Sequence, residues 1–168
     1  MDIWAPYVDV RFQIWRAGLP AGRVNVFITG TPAPPGPGAE GTALGAIMFV
    51  SPGTPGNRIF VSVSGVRQLA MSAAWRGRSL REQPPAVIRT FDEHALARTL
   101  AHEIGHYLLR SKAHASVGLM RATFSADELM AGSLAPYGLT TGERLAVAGE
   151  FEIRTAQASP QARETSGR

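Results

Sequence analysis

Chemistry in this chain is concentrated at His102-Glu103-Ile104-Gly105-His106. Two histidines four apart on a helix differ by about 40° in azimuth and about 6 Å along the axis, so both imidazoles can reach one metal ion. The glutamate between them falls where it can take a proton from a water at that metal, the arrangement of a zinc hydrolase. Zinc with two His ligands needs a third protein ligand and keeps one position open for water. His114 is the first candidate. A continuing helix would carry it about 120° round and about 18 Å up from His102, so the chain must leave the helix near Arg110 and Ser111 and double back. No glycine lies between His106 and His114 to take a left-handed C-cap, so either Arg110, Ser111 or Lys112 does so at some strain or the turn is of another kind. Glu128 is the rival third ligand, from a helix expected to start at Ser125 as N-cap. Its other reading is a carboxylate favoured by a helix's first turn. His94, about 12 Å before His102 along a helix, is too far to share the metal and is read as a surface residue. Tyr107 and Tyr137 are the phenols able to donate to a developing oxyanion. Tyr107 faces about 100° away from the neighbouring ligand, and Tyr137 is read first as a packing residue.

The stretch HEIGHYLLRSKAHASVGLM resembles the metzincin zinc peptidases, whose signature is H-E-x-x-H-x-x-G-x-x-H followed by a methionine-containing turn under the metal. The matrixin branch is the nearest pattern. The resemblance implies His102, His106 and His114 as zinc ligands, Glu103 as general base and Met120 as the methionine of the turn. Leu109 stands where the family has glycine, and the spacing to the third His is longer by two. The resemblance also implies a zincin-like fold in which one edge strand borders the cleft and binds an extended peptide; the strand over 44–50 is the one expected there. Weaker similarity covers Trp4-Ala5-Pro6-Tyr7, read as the end of a first helix, and Leu139 to Leu145, read as the start of a closing helix. In the family layout a chain opening this way follows a removed export segment, so a secreted or extracytoplasmic location is favoured.

Several elements must position these residues. Thr90-Phe91-Asp92-Glu93 reads as a capping box, with Pro84 and Pro85 breaking the chain before it. From Phe91 on, Leu96, Leu100, Ile104 and Leu108 recur at helical spacing, which places the motif on a long, mostly buried helix. Residues 8–15 and 23–29 read as strands joined by the turn Leu19-Pro20-Ala21-Gly22. Residues 44–50 and 58–64 read as a hairpin with a longer loop over 51–57. Thr31 to Gly41 holds four Pro and three Gly in eleven residues and reads as a surface loop. Residues 65–80 read as a helix or an irregular covering segment.

The chain of 168 residues suits one domain over 1–154, followed by a tail over 155–168 with no periodic apolar face, expected to be disordered. The fold class expected is α+β: a twisted mixed sheet packed on the motif helix, with a small C-terminal helical part. Cysteine is absent, which excludes disulfides, cysteine-ligated zinc and a cysteine nucleophile. No apolar run is long enough to span a membrane. The net charge is +4, and the 17 basic residues are Lys112 and otherwise arginines spread along the chain, with only Arg76, Arg78 and Arg81 clustered. Charge so scattered describes a solvated surface, and no nucleic-acid partner is expected. The function expected is zinc-dependent hydrolysis of a peptide or protein substrate. A non-catalytic zinc-binding or protein-interaction domain is the alternative.

Overall fold

The computed structural model describes residues 3–7, 11–12, 24–31 and 43–157; within 150–157 only the backbone is described. The chain is α+β. Strand β1 (Asn25–Thr29) pairs in parallel with β3 (Thr54–Ser62), and β2 (Gly45–Ser51) pairs antiparallel with β3, giving the order β1-β3-β2. β2 is therefore an antiparallel edge strand among the described residues. The 44–50/58–64 hairpin is present with a tighter connection than a loop over 51–57. β3 begins at Thr54, so only Pro52 and Gly53 make the turn, with Gly53 at φ +70°. The expected strand over 8–15 falls largely outside the described residues, and so does most of the 31–41 loop. Trp4 to Tyr7 forms a hydrogen-bonded turn, with the Tyr7 amide donating to Trp4 O at 2.8 Å.

α1 (Val63–Ser72) starts earlier than the apolar stripe suggests, because the Ser62 side chain accepts from the Gly65 amide and caps it. A two-stranded ribbon follows, β4 (Ala74–Trp75) and β5 (Arg78–Ser79). Arg76 and Gly77, both at positive φ, form the connecting turn. The motif lies on α2 (Pro85–Leu109), 25 residues long. The start expected at Thr90 is wrong by about a turn and a half. Pro85 occupies the first helical position, where its missing N–H costs nothing and its fixed φ suits the helix. The proline pair begins the helix instead of breaking the chain, and Thr90 Oγ1 donates to Ala86 O inside it.

α3 (Ala126–Met130) carries the expected Ser125 cap as a reciprocal box: Ser125 Oγ accepts from the Glu128 amide and Glu128 Oε2 accepts from the Ser125 amide. Thr140 and Glu143 repeat that exchange at the head of α4 (Thr141–Gln157), which runs into the segment expected to lack structure. Residues 158–168 lie outside the described part.

The core lies in two clusters. One packs Ile59 and Val61 of β3 and Ile104 of α2 against Trp4, Leu119, Met120 and Tyr137; the other joins Val66, Leu80, Phe91 and Leu129. The motif helix thus has the sheet on one side and the segment after the motif on the other. No helix of the described residues is long and apolar enough to cross a membrane.

Candidate metal centre

His102, His106 and His114 converge. One ring nitrogen from each lies within 4.8 Å of the others. His102 and His106 do so through the four-residue repeat of α2. Their Nε2 atoms are 3.0 Å apart. His114 arrives by the doubling back that its position demanded. Arg110, the C-cap, takes the left-handed conformation at φ 52° and ψ 35°, and the next peptide folds onto His106. The Ser111 amide donates to His106 O at 3.3 Å, while His106 Nδ1 donates to Ser111 O at 2.7 Å. Ser111 Oγ then accepts from the Ala113 amide, and the exposed His114 ring stacks on His102 with centroids 5.3 Å apart.

Each α2 histidine is oriented by a carbonyl. His102 Nδ1 donates to Leu119 O at 2.8 Å, as His106 Nδ1 does to Ser111 O. A carbonyl only accepts, so each Nδ1 carries the proton and each Nε2 presents a bare lone pair. Two lone pairs facing each other at 3.0 Å repel unless a cation lies between them. A proton is a poor candidate for that cation. Burial, with the Leu119 hydrogen bond opposing and the His106 and His114 charges assisting, brings His102 down to about 4; burial also lowers His106. Three imidazoles with no thiolate nearby form a donor set suited to zinc and related divalent ions. The residues therefore fit a metal.

Glu103 is 6 % exposed, and burial lifts its carboxyl to about 7 against the opposing hydrogen bond from the Ile47 amide. It can approach β2 so closely because residue 45 is glycine. A Cβ there would sit 2.6 Å from Thr99 Cγ2 and 2.9 Å from Glu103 Cγ. A second glycine, Gly105 within the motif, makes room for the buried Met120. A Cβ on Gly105 would run into Met120 Sδ, so the thioether lies directly against the helix between the two histidines. Gly118, at φ +79°, turns the chain into Leu119-Met120, and a Cβ there would collide with Gly138 O.

The remaining candidates fall outside the cluster. Glu128 completes the α3 capping box with Ser125 and pairs with Arg121, whose Nη2 is 2.7 Å from Glu128 Oε1, off the line of a good hydrogen bond. His94 is half-buried instead of a plain surface residue, because α3 packs against α2 there and brings Leu129 O within 3.1 Å of its Nδ1. Tyr137 is buried; its hydroxyl donates to Glu128 O at 2.7 Å, and Arg98 stacks over its ring, the packing role read first for it. Sequence reasoning missed the Leu119 and Ser111 carbonyls and the Ile47 amide, since main-chain groups carry no residue signature. The glycines at 45, 105 and 118 were the available signal.

Comparison with protein-family models, with curated proteins and with solved structures gives no match in any of the three.

Proposed function

We propose that this chain is a zinc-dependent metallopeptidase on a zincin-like fold, with His102, His106 and His114 holding the ion and Glu103 as general base. The observation that carries the reading is the convergence of three imidazoles beside a buried carboxyl poised near 7. Zinc, when bound, supplies a Lewis acid that polarises a carbonyl and brings the pKa of a water toward neutrality.

The chain's own residues supply the rest. Glu103 is half-ionised near neutral pH, so its carboxylate can accept a proton from the attacking water and return it to the leaving amine. The Leu119 and Ser111 carbonyls hold the two α2 imidazoles in the tautomer that leaves Nε2 free. Met120 packs against α2 at Gly105 and anchors the loop that carries Leu119. Among the described residues β2 is an antiparallel edge strand that contacts α2, and an edge of this kind can take up an extended peptide by main-chain pairing. Such pairing recognises backbone and tolerates many side chains, so it suits peptide substrates generally.

The test is cleavage of a mixed peptide library by zinc-loaded protein beside Glu103→Ala. Cleavage by the wild type, a loss of about a thousandfold or more in the variant and equal zinc content in both would support the roles. Activity surviving in Glu103→Ala would remove Glu103 from the reaction. Zinc bound with no cleavage of any peptide would favour a non-catalytic metal-binding domain.

A further inference from the structure

The third histidine is the ligand with least support from regular structure, because it is exposed and lies beyond the helix end. What holds it is Arg110. A left-handed backbone disfavours an ordinary L-residue by about tenfold, a cost glycine does not carry. Arg110 adopts it at φ 52° all the same, and its Nε donates to Gly53 O at 2.8 Å. Gly53 is the positive-φ residue of the β2–β3 turn, and a Cβ added to it would lie 4.0 Å from Arg110 O. Ser111, the residue that follows Arg110, bonds His106 through both its N–H and its C=O.

We propose that Arg110 is the positioning residue for His114: its backbone makes the turn, and its guanidinium pins that turn to the β2–β3 hairpin at Gly53. The side-chain tie offsets the strain that glycine would avoid. The ligand loop is thereby anchored to the hairpin whose first strand is the edge facing the site. The inference rests on the metal-site reading above.

The test is zinc affinity, by competition with a chromophoric chelator, across Arg110→Gly, Arg110→Ala, Arg110→Val and the wild type. Arg110→Ala removes the tie and keeps the strain, so affinity falls about tenfold. Arg110→Val, whose branched side chain resists the left-handed region further, falls about a hundredfold. Arg110→Gly removes both tie and strain and stays within about threefold of wild type. Rescue by glycine is the signature, since a general loss of folding would not follow that order. Equal affinity in wild type and Arg110→Ala, or a fall in Arg110→Gly as deep as in Arg110→Ala, would overturn the inference. If the wild type binds no zinc, the metal reading fails, and the inference is decided in the metal-free protein by imidazole NMR. The His114 resonances should then move in Arg110→Ala and Arg110→Val and stay in place in Arg110→Gly; any other pattern refutes it.

Discussion

Glu103→Gln, made in the metal-free protein, gives the sharpest test of how the site is tuned. Burial raises the Glu103 carboxyl from 4.5 to about 7, so the folded state holds this proton more tightly than the unfolded chain does. Stability contributed by the protonated carboxyl is present below about 4.5 and is lost as pH rises toward 7. That interval corresponds to about 3 kcal/mol, and relaxation of the site makes the figure an upper one. His102 acts in the opposite direction. Its folded value of about 4 lies below the ordinary 6.5, so stability is present above 6.5 and is lost as pH falls toward 4. In the wild type the two trends largely cancel between pH 4.5 and 6.5. Glutamine keeps the volume and can still accept from the Ile47 amide, but it has no proton to lose. The variant should match the wild type near pH 4.5 and exceed it by up to about 3 kcal/mol near pH 7.5. Urea denaturation at four pH values in the presence of a chelator measures this difference. A stability gap that stays constant with pH would refute the reasoning, because it would place Glu103 in a solvated setting.

Three further substitutions probe the scaffold around the site. Gly45→Ala inserts a Cβ 2.6 Å from Thr99 Cγ2, so thermal unfolding of the metal-free protein should show a loss of about 1–3 kcal/mol. Gly105→Ala drives a methyl into Met120 Sδ, and the displaced turn should weaken zinc binding in a chelator competition while leaving most of the helical circular dichroism intact. Glu128→Ala removes its half of the α3 capping box and the Arg121 ion pair, which should cost about 1 kcal/mol in urea and leave zinc content unchanged.

Much of the histidine cluster was legible in the sequence because it follows from helix geometry. The i, i+4 spacing of His102 and His106 fixes their common face, and the missing glycine after His106 correctly placed the turn at Arg110, Ser111 or Lys112. The choice between His114 and Glu128 was not legible. It depends on Arg121 and Ser125 engaging the carboxylate and on the Ser111 peptide folding onto His106, contacts between residues whose types alone do not specify them. The helix start was misplaced for a local reason: Thr90 to Glu93 satisfies the capping pattern, but Pro85 six residues before Phe91 supplies a valid first position, and nothing between interrupts the helix. The tight turn at Pro52-Gly53 was likewise obscured by Pro55 and Gly56, which look like loop residues but lie inside β3. Gly56 is tolerated there because the chain runs against the Met48 carbonyl, where a Cβ would sit 2.9 Å away.

The central claim is a three-histidine zinc site, and zinc K-edge X-ray absorption on the zinc-loaded wild type beside His114→Ala tests it most directly. The account predicts one zinc per chain with three imidazoles at about 2.0–2.1 Å and one further light ligand, falling to two imidazoles and weaker binding in the variant. A wild-type spectrum unchanged by His114→Ala, or the absence of tightly bound zinc in both proteins, would contradict it.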